Sequence, residues 1–229
     1  MPRSDGPTGP VVLGRAELSD TPMAWPVVGT TTLGEGVITT LVQDQVQTPD
    51  GELIKREYLL HPGAVGVIAL DDQQRVVLVR QYRHPVRHRL VEPPAGLLDV
   101  DGEAPLLAAQ RELAEEVGLA SGRRDDLVDL YTTPGIVGES IRIFLARDLQ
   151  DADAPADFVR AGEEAHMDTV RAALSDLVDA VLAGDLHNPT LVSGVLAAEI
   201  ARQRGWSSLR SADVPWPARA ALIASRGSP

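Results

Sequence analysis

GLLDVDGEAPLLAAQRELAEEVGL, the stretch from Gly96 to Leu119, places Glu112, Glu115 and Glu116 on one predicted helix with Arg111 beside them. Pro105 suits the first helical position, where its missing N–H has no partner to lose, and Ala104 then stands at the cap. Gly118 follows the last periodic residue and fits the left-handed conformation that ends many helices. At about 100° per residue, Leu106, Ala109, Leu113 and Val117 share one stripe, which should face the core. Glu112 and Glu116 lie roughly 40° apart on the shoulder of that stripe, and Glu115 points further out. Like charges four residues apart weaken a helix, and at the edge of a buried face they also cost desolvation unless something positive pairs with them. A hard divalent cation would supply that charge, and carboxylate oxygens are the ligands it prefers. Taken alone, an E-x-x-E-E segment reads as a solvated acidic face.

The fuller pattern changes that reading. Glu103, seven residues, Arg111-Glu112, an aliphatic, one residue, Glu115-Glu116, one residue, Gly118 and an aliphatic together resemble the Nudix box. From average residue usage such a set arises by chance in fewer than about one in 10⁵ chains of this length. The family's usual box has one residue fewer than this chain between its first Gly and first Glu, here Gly96 and Glu103. The extra residue falls in the loop before the helix, which should leave the carboxylate geometry intact. The lead-in P-A-G-L-L-D, Pro94 to Asp99, is similar to the ADP-ribose pyrophosphatase branch of the family.

That resemblance implies a set of roles. Glu112, Glu115, Glu116 and the Ala95 carbonyl would hold Mg²⁺, or Mn²⁺ in its place. Arg83 would contact a diphosphate, Glu92 would be a further substrate-binding residue, and Arg56 would reach in from the N-terminal hairpin. Pro134-Gly135-Ile136-Val137-Gly138-Glu139 resembles the family's P-G-x-x-x-E loop, which would set Gly135 and Glu139 near the substrate. Glu163-Glu164-Ala165-His166-Met167 resembles the short acidic segment that carries the catalytic base in related enzymes, with Glu164 at the best-matching position and Glu163 next to it. Glu116 completes the catalytic set.

Composition bounds the alternatives. A chain of 229 residues with 44% hydrophobic content can bury a full core. A net charge of −12 argues against a nucleic-acid-binding surface, which needs a basic patch. With no cysteine there is neither a disulfide framework nor a zinc-thiolate site. MPRSDGPTGP has no apolar core of signal-peptide length and no run approaches 18 apolar residues, so a cytoplasmic protein without a membrane partner is expected.

Read in order, residues up to about 30 are rich in Pro, Gly and Thr and are expected to form an extended or partly disordered arm. Strand signals begin near Val37, turn at Pro49-Asp50-Gly51 and return through ELIKREYLL, so residues 37–60 read as a hairpin. A lone hairpin is marginal in water and needs a surface to cover. In the enzymes this chain resembles, the N-terminal strands pack on a second subunit, which implies a homodimer. Ala64–Leu70 and Arg75–Tyr82 read as a second hairpin of core strands. QYRHPVRHRLVEPPAG is unusually basic for so acidic a chain; its positive side chains and the acidic loop beyond suit a diphosphate carrying a cation. His84 and His88 show no metal-ligand spacing and are read as surface residues.

After the box, Leu127–Tyr131 and Ser140–Ala146 read as strands, and residues 148–162 as a mobile acidic linker. Ser175 is expected to cap a helix ended by Gly184. Asn188-Pro189 starts another through Arg204, with Leu191, Val195, Leu196 and Ile200 facing inward. The fold expected is a Nudix-type α/β/α sandwich around a mixed sheet, with an N-terminal antiparallel β-hairpin region. The chain divides into an arm and hairpin region over 1–60 serving dimerisation, a catalytic domain over 61–205 and a tail over 206–229. The reaction implied is Mg²⁺-dependent hydrolysis of ADP-ribose to AMP and ribose 5-phosphate. Hydrolysis of a sugar nucleotide or dinucleotide is the alternative, since the position near Val37 is aliphatic where some relatives stack an aromatic on the base. A non-catalytic ligand sensor is a third reading, though no DNA-binding module accompanies the box.

Overall fold

The aliphatic runs flanking Asp71 become strands buried on both faces, and the other elements are laid against them. The computed structural model describes residues 10, 12–155, 158, 162 and 164–226. An N-terminal group of strands comes first: β1 (Val27–Glu35), β2 (Thr40–Gln47) and β3 (Leu53–Leu60). β4 (Ala64–Leu70), β5 (Arg75–Arg83), β6 (His88–Glu92) and β7 (Ala95–Leu97) then lead into α1 (Pro105–Val117). β8 (Leu119–Tyr131), β9 (Val137–Gly138), β10 (Ser140–Asp151) and β11 (Asp168–Ala173) precede α2 (Leu174–Ala183) and α3 (Pro189–Gln203). β12 (Arg210–Ser211) and α4 (Pro217–Arg226) complete the order.

The larger sheet runs β11-β5-β4-β10-β8-β12, with β6 also on β5 and β7 on β4. It is mixed, because β4 and β10 run parallel while β10 and β8 run antiparallel. Side chains alternate across a strand. Ile68 and Leu70 of β4, Leu78 of β5 and Ile143 of β10 therefore face α2 and α3 with Leu174, Leu191 and Val195. Val65, Val67, Val77 and Phe144 face the opposite way, against Ala108, Ala109 and Leu113 of α1. This is the α/β/α layering expected. No helix among the described residues is long and apolar enough to cross a membrane.

Several local expectations are corrected by the sheet. The second hairpin closes over two rungs only, Ala69 with Val77 and Leu70 with Val76. Beyond them β4 turns to β7 and β5 to β6, so the two strands part. β8 and β10 are longer than the sequence suggests because they pair with each other from Tyr131 and Ser140 down to Leu119 and Asp151. That pairing takes the first residues of the segment expected to be a linker. α2 begins at Leu174, whose N–H donates to the Gln74 carbonyl at 2.9 Å, with Ala173 at the cap; Ser175 lies inside the helix. In α3 the Asn188 side chain accepts from the Leu191 N–H at 2.9 Å as its cap. Gly194, Ala198 and Ala201 fill its buried face, while Ile200 is exposed.

The N-terminal strands form a second sheet, β1-β2-β3-β9, in which β1 has no counterpart in the sequence reading. Every residue of β1 is exposed, so no hydrophobic alternation marks it. Buried Asp44 stitches the three strands together by accepting from Thr30 Oγ1 at 2.6 Å and from Tyr58 OH at 2.8 Å. Gly51 takes φ 90° in the expected turn between β2 and β3. β9 joins this sheet to the rest of the chain: it runs parallel to β3, and the Leu59 N–H donates to the Ile136 carbonyl at 2.9 Å.

Candidate active site

α1 follows the capping logic of its sequence, with Ala104 before Pro105 and Gly118 in the left-handed conformation at φ 66°. Leu113 packs inward, and the carboxylates gather on the neighbouring shoulder around one guanidinium. Arg111 Nε and Nη2 each donate to Glu103 at 3.0 Å. Its Nη1 donates to Glu112 at 2.6 Å and to Glu115 at 3.1 Å. Hydrogen bonding to Glu103, followed by the nearby Glu112 charge, holds Arg111 well above its ordinary pKa, so it is a permanent cation. The loop absorbs its extra residue in a turn in which the Glu103 N–H donates to the Val100 carbonyl at 3.2 Å. Glu103 thereby still reaches Arg111.

Glu116 is buried, and one of its oxygens accepts from the Ala95 N–H at 3.0 Å. Strand β7 and helix α1 are fastened together at this point. Gly96 is pressed against the same helix: a Cβ there would stand 2.0 Å from Glu112 Oε1. Only a residue without a side chain allows the Glu112 carboxylate to occupy that space.

A cleft of about 1000 Å³ opens beside this cluster, with His61, Arg83, Glu92, Glu112, Glu116 and Glu139 among the residues on its walls. Its size suits a dinucleotide-like ligand. The α1 carboxylates stand on one side, Arg83 of β5 with Glu92 of β6 on another, and Glu139 comes from the loop before β10. Arg83 donates through Nε at 2.9 Å and Nη2 at 2.7 Å to Glu92, which is 1% exposed and also accepts from Gln81 at 3.1 Å. The pair is a fork meeting a fork, which fixes the guanidinium plane at the cleft wall. Glu139 accepts from Thr132 Oγ1 on one oxygen and has His61 Nδ1 3.0 Å from the other.

Not every residue singled out in the sequence reaches this cleft. Ala95, Glu115 and Glu139 line it together with those already named. Arg56 is exposed on β3 and donates to the Lys55 carbonyl at 2.8 Å, away from the lining. Gly135 is exposed in the turn before β9. The Glu164 backbone lies in a short helical turn at Glu164–His166, and Glu163 is outside the described residues. His61 and Thr132 were not singled out. They are 71 positions apart in sequence, and it is the β4–β10 pairing that brings their segments together, which no local spacing reveals.

The donor set is made of hard oxygens, with four carboxylates, Glu103, Glu112, Glu115 and Glu116, set against one guanidinium. Such an excess of negative charge, with Glu112 filling the space Gly96 leaves, fits a hard divalent cation in chemistry. Glu112 and Glu115 are turned onto Arg111, and among the described residues no group of three or more acidic or histidine side chains converges closely enough to hold a metal ion. Binding one would require those two carboxylates to share themselves between Arg111 and the cation.

Comparison with known proteins agrees with this geometry. The chain matches the NUDIX domain over residues 60–182. It is 41% identical over 199 residues to an ADP-ribose pyrophosphatase of Mycobacterium tuberculosis, covering 87% of this chain and 94% of the relative. It is 32% identical to an ADP-ribose pyrophosphatase of Bacillus subtilis, covering 67% and 80% respectively. A crystal structure of an ADP compounds hydrolase superposes with a TM-score of 0.65 at 22% identity, over 82% of this chain and 99% of that one, and shares the fold. With the domain matched over more than half its length and its box carboxylates gathered on one cleft, the chain belongs to the Nudix family.

Proposed function

We propose that this protein hydrolyses the diphosphate of ADP-ribose to AMP and ribose 5-phosphate. The observation that carries the reading is the convergence of α1 carboxylates, Arg83 and Glu139 on one cleft in a chain 41% identical to an ADP-ribose pyrophosphatase. Nudix hydrolases generally use divalent metals, and here Glu112, Glu115, Glu116 and the Ala95 carbonyl would hold Mg²⁺, or Mn²⁺ in its place. When bound, such a cation supplies neutralising charge for the diphosphate and Lewis acidity toward water.

The chain's own residues do the rest. Arg83, held in plane by Glu92, offers a flat cationic edge to phosphate oxygens. Glu164, or its neighbour Glu163, orients and deprotonates the attacking water. Glu139 accepts a hydrogen bond from a substrate hydroxyl. Arg111 steadies Glu103, Glu112 and Glu115 against one another. Phosphoryl transfer of this kind needs positioning and charge neutralisation more than a covalent nucleophile, and the chain has no cysteine to offer one. Arg56 and Gly135, outside the cleft of a single chain, would act only where a second copy completes the site.

A second reading keeps the mechanism and changes the substrate. Val37 is fully exposed, while Ile38 and Thr39 line the cleft, so that segment offers a base aliphatic contact rather than stacking. A sugar nucleotide or dinucleotide with a different base would suit this wall. Product release with Mg²⁺ and with EDTA, across ADP-ribose, ADP-glucose, GDP-mannose, NADH and diadenosine polyphosphates, separates the two. A kcat/KM for ADP-ribose at least about tenfold above every other compound, abolished by EDTA, supports the first reading. Preferred turnover of another member moves the substrate, and binding without turnover of any compound leaves a ligand sensor.

A further inference from the structure

His61 ends the N-terminal strands and precedes β4, while Glu139 precedes β10. The parallel register that sets Ala64 beside Ile141 brings the two residues together. His61 Nδ1 lies 3.0 Å from Glu139 Oε1, with side chains 14% and 15% exposed, and both residues line the cleft. Thr132 Oγ1 donates to the other oxygen, Oε2. One partner for each oxygen fixes the plane of the carboxylate, and its remaining acceptor capacity is what a ligand hydroxyl can use.

The same ring nitrogen has a second neighbour. The Gly63 backbone N stands 3.1 Å from Nδ1 and is placed to donate to it. A single imidazole nitrogen cannot accept from Gly63 and donate to Glu139 at once. With the ring proton on Nδ1, His61 donates to Glu139. With the proton on Nε2, it accepts from Gly63 and presents a lone pair to the carboxylate, which loosens Glu139.

We propose that His61 is a positioning residue for the reaction: its Nδ1–H holds Glu139 in the orientation that binds a hydroxyl of the substrate's sugar. The inference rests on the reading of Glu139 as a substrate-binding residue. It makes the ring tautomer, rather than the mere presence of an imidazole, the thing that matters.

The test is steady-state kinetics on ADP-ribose with the full chain, joined to ¹⁵N NMR of the His61 ring at pH 8. His61→Ala should raise KM about tenfold, with kcat within about twofold, since a hydrogen bond to a charged group is lost and ground-state binding with it. His61→Asn, whose amide N–H stands near the position of Nδ1–H, should return KM to within about threefold of the wild type. Thr132→Val should raise KM in the same way. The ring proton should sit on Nδ1 in the wild type and move to Nε2 in Glu139→Ala. An unchanged KM in His61→Ala alongside an impaired Glu139→Ala overturns the positioning role and leaves the function standing. Wild-type kinetics in Glu139→Ala overturn the reading on which the proposal rests. Should His61→Ala fail to fold, the wild-type spectrum decides alone, and a ring protonated on Nε2 contradicts the proposal.

Discussion

Glu112 and Gly96 share one volume, so a methyl group at residue 96 and the Glu112 carboxylate cannot both be accommodated. The atoms in the way belong to the end of a flexible side chain, so the fold can survive the change while the carboxylate cannot stay. Gly96→Ala should therefore keep its melting temperature within a few degrees and lose at least about tenfold in kcat; equal activity with lower stability would contradict this. Asp126 makes a different point. It is fully buried, 3.3 Å from Arg142 and 3.1 Å from Arg210, yet neither of its oxygens accepts a hydrogen bond of good geometry among the described residues. Burial first, then the Asp129 charge, pushes Asp126 up to about 6 against the opposing arginines. A carboxyl whose folded pKa is raised contributes stability below its ordinary value near 3.8 and loses it as pH rises through about 6. Relative to Asp126→Asn, the wild type should lose up to about 3 kcal/mol between pH 4 and 7 in urea unfolding. A constant difference across that range would contradict the burial account.

At the scale of elements, α1 was fully legible and the tail was not. Capping, the apolar stripe and the carboxylate spacing of α1 are local, and local patterns survive folding when the tertiary context agrees with them. β1 and β12 were invisible for the opposite reason: β1 is exposed along its whole length, and β12 is two exposed residues defined only by pairing with β8. Trp216 of the tail lies in the core beside α1, with the Arg142 guanidinium 4.8 Å from its ring. Arg142 interrupts the apolar run Ile141–Ala146 of β10 and is 3% exposed. It donates to both oxygens of Asp129, at 2.8 and 3.0 Å, and to the Val214 and Pro215 carbonyls. Arg142 thus fastens the tail to the central sheet, alongside Arg210 and the β12–β8 pairing. Arg142→Ala would leave Asp126 and Asp129 without their buried partner, at a cost of about 3–5 kcal/mol. Thermal unfolding should show a fall of about 10 °C. A change of a degree or two would mean that the β12–β8 pairing, Arg210 and Trp216 hold the tail without Arg142.

Across the whole molecule, two sheets meet at β9, and the smaller one leaves much apolar surface uncovered. Val27, Val28, Leu33, Ile38 and Leu41 are all exposed there. Apolar surface left in water forgoes the free energy of burial. Association of two copies through this sheet would cover it, and light scattering at micromolar concentration should give about twice 24.4 kDa. A monomer at that concentration would rule the dimer out. The layered fold and the carboxylate cluster were readable because periodicity and motif spacing carry them. The pairing of His61 with Glu139, and of Arg83 with Glu92, depends on which strands lie side by side, and composition holds no record of that. If carboxylates on one helix shoulder drive hydrolysis of ADP-ribose, turnover by the wild type beside Glu112→Gln and Glu116→Gln will show it. AMP and ribose 5-phosphate from the wild type, with kcat lower by at least about a hundredfold in both variants at unchanged melting temperature, is the result predicted. Near-normal turnover by both variants at saturating Mg²⁺ would contradict it.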